Sequence, residues 1–374
     1  MELLLIILSA CIPAIYLSWK LPEKWNFIPL IVICSIFLVF TSPLSLVILI
    51  ISSVFQYYTI KKFHQINTVP ILVIVQIVLF FTYFKLGYGE VLPFAGKVIP
   101  IGLSYYCFRQ ISYALDAYKH ELPKHKFTEY LTYLFFLPTF IVGPINRFTP
   151  FLKDLRKRRW DEKKFTKGLQ RIIYGLVKIT FLGNYIFSHK FKILIDSLAH
   201  ENLWLSTYLY ILNFSANAYV QLAGFSEVAI GLSLLFGFNI IENFNKPYFA
   251  KNIVDFWNRW HISLSHWCRD YVYMPFLSLT RNTYISIGLS MLVLSLWHEI
   301  SFRYILWGGL HILAISLWHL YEKSKFYAKT KSYPKFVSYL GIIFTGHFVA
   351  LSFILVSEDN LEDSLKIYKL IFGL

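Results

Sequence analysis

The sequence predicts an all-α membrane protein that crosses the lipid bilayer many times. Of its 374 residues, 56% are hydrophobic and 15% are charged, whereas soluble domains carry roughly 25% charged residues. Apolar runs recur along the whole chain, and no stretch between them is long enough for a soluble domain. We therefore expect one transmembrane domain over residues 1–374, with about 11 transmembrane helices.

The apolar runs mark the approximate positions of the spanning helices, because a span needs about 20 mostly apolar residues. The first run starts with Glu2 rather than with basic residues, so we interpret it as a retained helix and not as a cleaved signal peptide. The candidate spans lie near residues 2–19, 26–42, 43–60, 70–87, 98–117, 170–188, 203–220, 222–240, 283–298, 303–321 and 336–356.

Positive charge predicts the orientation of these helices. The net charge is +15, and the Lys and Arg residues sit in short loops between apolar runs, as in cytoplasmic loops that face anionic lipid. This pattern argues against a nucleic-acid-binding protein, which gathers its charge on a hydrophilic face. By the positive-inside rule, the loops after the first, third and fifth spans are expected to be cytoplasmic and the N-terminus outside. These loops contain Lys20, Lys24, Lys61, Lys62, Lys119, Lys124 and Lys126.

The short apolar run Leu131–Ile145 is expected to enter the bilayer and return on the same side. It contains Pro138, Gly143 and Pro144, which interrupt a helix. If the run crossed, the basic cluster that follows it, at residues 153–171, would lie outside the cytoplasm. Non-helical backbone is tolerated at membrane depth only where protein or water surrounds it, so a re-entrant segment predicts an internal cavity.

Segment Ile253–Trp267 is typical of one amphipathic helix. Its apolar side chains follow i, i+3, i+4, i+7 spacing, with polar residues elsewhere on the helix. The segment is too polar to face lipid across a bilayer, so we expect either a surface anchor helix or a buried re-entrant helix. The apolar positions are Ile253, Phe256, Trp257, Trp260, Leu264 and Trp267.

Two histidines are candidates for acid–base chemistry, because ionisable groups at membrane depth are costly and often functional. His298 lies within an apolar run, where a neutral imidazole could take a proton from an attacking hydroxyl; the alternative is a helix-end histidine bonded to a carbonyl. His261 is either a second imidazole that orients an acceptor or stabilises an oxyanion, or a structural residue. Glu299 and Arg303, four residues apart, could pair on a helix or cap its end, and we interpret such a pair as structural rather than catalytic.

Other classes of site have less support. His261 and His266 are five residues apart and point about 140° apart on a helix, so they do not share a metal site. The four cysteines have apolar or aromatic neighbours, and we expect small buried side chains. No G-x-S-x-G, Walker A or G-x-G-x-x-G motif occurs, so a serine hydrolase of that type and a nucleotide hydrolase lack support.

The remaining candidate binding residues are polar side chains near the two histidines. His311 follows Trp307 and two glycines, whose small size allows close helix approach, and we interpret it as a packing or hydrogen-bonded pocket residue. His319 and His347 are interpreted in the same way, but no pair of glycines precedes them. The further candidates for substrate binding are Asn258, Arg259, Arg269 and Asp270.

Four segments together carry a resemblance to a known family. They are PIGLSYYCFRQISYALDAYK (Pro100–Lys119), FFLPTFIVGPINRF (Phe135–Phe148), Gly224–Phe276 with its block WNRWHISLS, and LWHEISFRYILWGGLH (Leu296–His311). This set, over residues 100–311, resembles the membrane-bound O-acyltransferase superfamily. The similar branch is the bacterial one, with alginate O-acetylases and the D-alanyl transfer proteins of teichoic acid modification.

The resemblance implies a ring of transmembrane helices around re-entrant helices. It implies transfer of an acyl group, such as acetyl or D-alanyl, from a thioester donor to a hydroxyl, with no bound cofactor or metal. His298 matches the family's catalytic base and His261 its second active-site histidine. The acceptor of this branch lies on the outer side, so we expect a multi-pass O-acyltransferase of the bacterial cytoplasmic (inner) membrane.

The resemblance also implies several partners. The donor would be acyl-CoA or an acyl carrier protein on the cytoplasmic side, where the basic cluster at residues 153–171 would bind an acidic protein or phosphates. The acceptor would be an envelope glycan or polymer, with a partner transferase outside the membrane. Membrane lipid is the remaining expected partner, and nucleic acid is not one.

The chain departs from the family pattern at three places. Glu299 follows the histidine where glycine is usual, Gln221 and Leu222 replace an acidic element, and Leu277–Asn282 lacks the usual Gly-Gly-Asn-Arg loop. An alternative function is therefore a non-catalytic acyl conduit or scaffold of an envelope-modification complex. A third is a transporter with a histidine proton relay, which predicts flux that depends on the proton gradient and no acylated product.

Overall fold

The computed structural model describes residues 2–63, 65–87, 100–330 and 334–373. Within these ranges the protein consists of helices joined by turns and loops, and no β-strand occurs, which confirms the predicted all-α class.

The 3₁₀ turns are Leu137–Thr139 and Pro247–Phe249, and the π-helical segments are Lys178–Phe191 and Arg269–Tyr273. The α-helices are α1 (Glu2–Lys20), α2 (Ile28–Thr41), α3 (Pro43–Lys62), α4 (Thr68–Lys85), α5 (Leu103–Tyr118), α6 (Phe127–Leu134), α7 (Phe148–Lys157), α8 (Glu162–Val177), α9 (Lys192–Ala199), α10 (Leu203–Leu235), α11 (Ile253–Trp257), α12 (Ile262–Cys268), α13 (Met274–Thr280), α14 (Thr283–His298), α15 (Phe302–Glu322), α16 (Lys325–Thr330), α17 (Pro334–Ser352), α18 (Ile354–Ser357) and α19 (Leu361–Phe372).

Among the described residues, six helices are long and apolar enough to cross a membrane, so the chain is a multi-pass membrane protein. The predicted spans 26–42 and 283–298 form the shorter apolar helices α2 and α14, of 14 and 16 residues. The predicted number of 11 spans and their arrangement in a ring stay predictions. The six are Glu2–Lys20, Pro43–Lys62, Thr68–Lys85, Leu203–Leu235, Phe302–Glu322 and Lys335–Ser357.

The span predicted near residues 98–117 corresponds to α5, which begins only at Leu103. Gly102, directly before it, has a φ of +78°, a left-handed conformation that glycine adopts without strain and that stops a right-handed helix. Residues 98 and 99 of the predicted span lie outside the described residues.

One helix of 33 residues, α10, replaces the two spans predicted near residues 203–220 and 222–240. The predicted division is wrong because residues 220–222 contain no glycine or proline that would end a helix. At 1.5 Å per residue, α10 is about 50 Å long, more than the roughly 30 Å of hydrocarbon in a bilayer. The chain turns only beyond it, at Gly237, whose φ is +89°.

The span predicted near residues 170–188 lies in one continuous helical stretch, from α8 through the π-helical segment Lys178–Phe191 to α9. A π-helix is rare, and here amide side chains one turn apart on α10 hold it. Asn213 donates to the Phe187 carbonyl (3.2 Å), Asn217 to Ser188 Oγ (2.9 Å) and Gln221 to Asn184 Oδ1 (2.7 Å). Gln221, one of the departures from the family pattern, therefore has a structural partner in this chain.

The chain forms two compact units. The first comprises Met1–Tyr174 and Ser226–Ile241, and the second comprises Gly175–Phe225 and Glu242–Leu374. Helices α8 and α10 therefore contribute residues to both units. The second unit contains every residue that the sequence predicts to be catalytic or substrate-binding. The prediction of a single domain over residues 1–374 stays a prediction.

In the first unit, a buried arginine supports the non-helical segment between α6 and α7. Arg109, on α5, is 1% exposed and donates to the carbonyl oxygens of Tyr133 (2.9 Å), Leu134 (3.1 Å) and Thr139 (2.5 Å). Carbonyls at the end of a helix have no partner within it, so the guanidinium satisfies groups that lipid could not. The predicted interruption of the helix within Leu131–Ile145 is confirmed, and its re-entrant path stays a prediction.

Replacing Arg109 with Met should destabilise the protein, because buried carbonyl groups lose their donors. We expect the free energy of unfolding to fall by about 3 kcal/mol, measured as a lower thermal midpoint in detergent. The matched control is Arg156→Met, which removes an ion pair to Glu129 (2.7 Å) on a largely exposed arginine. That control should change stability by less than about 1 kcal/mol. Equal midpoints for the two variants would contradict the role of Arg109.

Candidate active site

The two candidate histidines lie in the second unit, each at a helix end. His261 directly precedes α12, and His298 is the last residue of α14. The single amphipathic helix predicted over Ile253–Trp267 is wrong, because α11 ends at Trp257 and α12 begins at Ile262. The two short helices place His261 in the turn between them.

Backbone conformation and long-range hydrogen bonds produce this break. His261 has φ 44° and ψ 53°, a left-handed conformation that costs a residue with a side chain roughly 1–2 kcal/mol. The Asn243 carbonyl accepts the Ile262 N–H (2.9 Å), and Asn243 Oδ1 accepts the Ser263 N–H (3.2 Å) and hydroxyl (2.9 Å). The start of α12 is therefore capped from a distant loop.

His261 is buried among aromatic side chains. It is 6% exposed, and its ring centroid lies 6.1 Å from that of Phe244 and 6.2 Å from that of Trp297. Burial lowers the pKa of His261 to about 4, so the imidazole is neutral at physiological pH. Its Nδ1 makes no hydrogen bond to any described residue. A neutral imidazole with an open nitrogen can form one hydrogen bond with a ligand.

His298 is exposed and contacts the same tryptophan as His261. The ring centroid of Trp297 lies 4.4 Å from that of His298 and 6.2 Å from that of His261. The rings of Tyr304 and Trp307 also contact His298, each at 5.9 Å. The structure therefore brings the two predicted active-site histidines around one indole, although they are 37 positions apart in the sequence.

The predicted pairing of Glu299 with Arg303 is confirmed. Arg303 Nη2 donates to Glu299 Oε2 at 2.9 Å, and the guanidinium lies 5.4 Å from the centre of the Tyr304 ring. A guanidinium therefore balances the carboxylate that follows the candidate base. The pair also ties the end of α14 to the start of α15.

His311 is fully buried and belongs to the same aromatic network. Its ring centroid lies 4.9 Å from that of Trp307 and 5.3 Å from that of Trp257, and Trp307 in turn contacts His298. Its Nε2 is 3.1 Å from Ser352 Oγ, whereas its Nδ1 has no hydrogen-bond partner among the described residues. The network thus runs through three histidines and three tryptophans.

The four other predicted binding residues have different surroundings. Arg259 Nε donates to Asp255 Oδ1 (2.7 Å), so its guanidinium is engaged within its own helical turn. Arg269 Nε donates to the neighbouring Asp270 carboxylate (2.7 Å). Asn258 is exposed. Of these two ion pairs, only Arg269–Asp270 has a residue, Arg269, that lines a cavity.

Asn258 and Arg269 line a cavity of about 190 Å³ together with Trp257, Ser265 and Met291. Its other walls combine apolar side chains of α11, α12, α14 and α15 with the polar residues His266, Ser290 and His319. A cavity of this size, about six water volumes, can hold a short acyl group. The candidate binding residues Arg259, Asp270 and His311 are not part of this lining, nor are His261 and His298.

Metal binding and thiol chemistry receive no positive indication from the described part of the chain. Within it, no group of three or more His, Cys, Asp and Glu side chains is placed to hold a metal ion. The prediction of small buried cysteines is confirmed, since Cys11, Cys34, Cys107 and Cys268 are all buried.

Several residues that sequence reasoning missed contact the candidate histidines, among them Trp297, Trp307 and Ser352. Trp297 adjoins His298, and Trp307 precedes His311 by one helical turn, so helical spacing could have indicated the second contact. Ser352 lies 41 residues from His311 and carries no sequence signal.

Comparison with known proteins places the chain among membrane acyltransferases. The model of the membrane-bound O-acyltransferase family matches residues 30–355. A probable alginate O-acetylase of Pseudomonas aeruginosa is 32% identical over 283 residues, which cover 74% of this chain and 52% of that protein. A teichoic acid D-alanyltransferase of Bacillus subtilis is 32% identical over 275 residues, covering 69% of this chain and 68% of that protein.

A third relative covers more of the chain. A peptidoglycan O-acetyltransferase of Helicobacter pylori is 27% identical over 406 aligned positions, which cover 94% of this chain and 74% of that protein. The chain spans about half the length of the alginate O-acetylases that it matches.

The buried neutral state of His261 predicts a pH dependence of stability. The pKa is about 4 in the folded protein against an ordinary 6.5, so the unfolded chain binds more protons between these values. Protonation of this histidine in the unfolded chain does not affect the free energy of unfolding above about pH 6.5. Below that pH the free energy of unfolding falls until the pH reaches about 4, and it changes no further at lower pH. The total fall is about 3 kcal/mol.

Thermal unfolding in detergent across this pH range measures the effect. The wild-type midpoint should fall with acidification by more than the midpoint of His261→Asn, which has no imidazole to titrate. Parallel pH profiles for the two proteins would show that His261 is not the titrating group.

Proposed function

Because the chain belongs to the membrane-bound O-acyltransferase family, we propose that it moves an acyl group from a thioester donor to a hydroxyl of a cell-envelope glycan or related polymer. The observation that carries this proposal is the placement of His261 and His298 around one indole, that of Trp297. The relatives support it, being named for acetyl or D-alanyl transfer and for alginate, teichoic acid or peptidoglycan.

In this proposal, His298 is the general base. Its imidazole is exposed at the end of α14, so an acceptor hydroxyl can reach it. The hydroxyl oxygen attacks the thioester carbonyl carbon while His298 takes its proton. The ester C–O bond forms, the C–S bond breaks, and the proton passes from the imidazolium to the departing thiolate. Positioned base catalysis of this kind contributes about 10²–10⁴-fold.

His261 has a different part in the reaction. It is neutral near pH 7, and its left-handed backbone and aromatic neighbours hold the ring in place. A neutral imidazole can donate its N–H to the oxyanion that forms when the thioester is attacked. Donors fixed in advance in a dry site stabilise that oxyanion without reorganisation during the reaction.

The basic cluster at residues 153–171 is the proposed binding region for the donor, acyl-CoA or an acyl carrier protein. Arg158 is not available for this role, because it is buried and donates to the carbonyls of Ser18 (3.0 Å) and Asn26 (3.1 Å). The exposed members attract phosphates or an acidic protein surface. They are Lys153, Arg156, Lys157, Arg159, Lys163 and Lys167, of which Arg156 is paired with Glu129.

The proposed location is the bacterial cytoplasmic membrane, with the donor on the cytoplasmic side. The acceptor polymer, together with a partner transferase, would lie on the outer side. The apolar cavity of about 190 Å³ beside Trp257 and Asn258 is the proposed binding place for a short acyl group such as acetyl or D-alanyl.

Replacing His298 with Ala should reduce acylation of the envelope by at least about 100-fold, because the base is lost. His261→Ala should also reduce it, by about 10- to 100-fold, because one oxyanion donor is lost. The measurement is mass spectrometry of envelope glycans from cells with matched protein levels. The increment that disappears identifies the acyl group.

The matched control is His200→Ala, which removes an exposed imidazole outside the aromatic network and should leave acylation unchanged. Acylation that disappears on deletion of the protein but persists in His298→Ala would remove His298 as the base and favour a scaffold. Acylation intact in both His261→Ala and His298→Ala would refute the proposed function.

A further inference from the structure

Three buried polar atoms on mutually contacting rings have no hydrogen-bond partner among the described residues: Trp257 Nε1, Trp307 Nε1 and His311 Nδ1. Their rings contact each other pairwise, with centroid distances of 6.1 Å (Trp257–Trp307), 5.3 Å (Trp257–His311) and 4.9 Å (Trp307–His311). Buried polar groups are nearly always paired, because an unpaired one costs free energy. Three together indicate a missing ligand.

The hydroxyl of Ser352 decides which hydrogen-bonding role His311 offers. Ser352 Oγ lies 2.8 Å from the Val349 carbonyl oxygen, which can only accept, so the single hydroxyl proton is donated there. Ser352 Oγ must then accept the bond from His311, whose Nε2 is 3.1 Å away and therefore carries the ring proton. The Nδ1 of neutral His311 is left with a lone pair and acts as an acceptor.

The unpaired atoms are thus two donors, the indole N–H groups, and one acceptor, the imidazole Nδ1. A hydroxyl group has the complementary set, with one proton to donate and two lone pairs to accept. We propose that Trp257, Trp307 and His311 bind one hydroxyl group of the acceptor substrate. This inference rests on the proposed function and assigns these residues to acceptor recognition.

The bound hydroxyl is not the one that reacts. An oxygen that accepts both indole N–H groups has no lone pair left to attack a carbonyl carbon. The reacting hydroxyl lies beside His298, whose ring centroid is 5.9 Å from that of Trp307, and the two rings are close enough to contact different hydroxyls of one substrate molecule. The acceptor is therefore a polyhydroxylated molecule, a carbohydrate or polyol chain, and not a simple alcohol.

The route to this site passes Trp257. None of the three atoms touches solvent, so a hydroxyl reaches them only when a side chain shifts. Trp307 and His311 are buried at 4% and 0% exposure, whereas Trp257 is half-buried and lines the 190 Å³ cavity.

Two substitutions of His311 separate hydroxyl binding from a purely structural role. The side-chain amide of Asn lies as far from the backbone as Nδ1 of histidine does, so Asn keeps a hydrogen-bond acceptor at that position. The side-chain amide of Gln lies as far from the backbone as Nε2 does, so Gln keeps the hydrogen bond to Ser352. Hydroxyl binding predicts that His311→Asn retains acceptor affinity and His311→Gln loses it. A structural role through Ser352 predicts the reverse order and would overturn the inference.

Removal of a single indole N–H provides a second test of the hydroxyl site. Trp307→Phe and Trp257→Phe should each raise the KM for the acceptor about tenfold, with kcat within about twofold, because only binding of a non-reacting group is weakened. The control is Trp318→Phe on α15, whose indole N–H is not among the unpaired atoms. It should leave both constants unchanged.

The assay uses membranes that contain the protein and the donor of the producing cell. Envelope glycan stripped of its acyl groups by mild base is added as the acceptor at increasing concentration. Unchanged KM in both Trp→Phe variants, beside an inactive His298→Ala, overturns the hydroxyl site alone. A fully active His298→Ala refutes the proposed function instead.

An electron density map of the wild-type protein in nanodiscs provides a readout independent of acyl transfer. A sugar hydroxyl within hydrogen-bond distance of the three atoms, seen when the stripped glycan is present, supports the site. A water molecule that keeps this position in the presence of the glycan overturns it.

Discussion

Hydrogen bonding of the backbone in a medium without water is the constraint on which the rest of this structure depends. Helices meet it internally, and every departure from a helix has to find partners elsewhere in the protein. In the first unit, the guanidinium of Arg109 supplies donors for the last two carbonyls of α6 and for that of Thr139 beyond it. In the second unit, Asn243 caps α12 through its carbonyl and its side chain. Each polar side chain allows a bend that lipid alone would forbid.

The second consequence of a dry interior is that the polar groups of the candidate site are surrounded by aromatic rings. Trp297 contacts His261 and His298, and Trp307 contacts His298 and His311. Such surroundings disfavour charge, which keeps a buried imidazole neutral. They also strengthen any hydrogen bond that a ligand forms there, because no water competes with it. The same rings therefore explain both why the site's polar atoms lack partners and why a substrate would bind them.

Sequence reasoning succeeded where a local pattern decides the outcome. Low charge and recurring apolar runs indicated the helical membrane class, and Pro138, Gly143 and Pro144 indicated the interruption after α6. The spacing of Glu299 and Arg303 indicated their ion pair. Sequence reasoning failed where the length of a helix and its packing against other segments determine the structure. One long helix, α10, was predicted as two spans, because hydropathy does not show whether a helix continues beyond the bilayer thickness.

The sequence by itself determined the class of the protein, the approximate helix positions and the two histidines that the family motifs contain. Only the tertiary structure decided how these histidines are presented. The periodicity of Ile253–Trp267 favours one helix, but bonds from Asn243 and the left-handed turn at His261 divide it. Likewise, the ring proton of His311 is placed by Ser352, 41 residues away. Local periodicity reports neighbours along one helix, whereas these features depend on hydrogen bonds between distant segments, which no periodicity encodes.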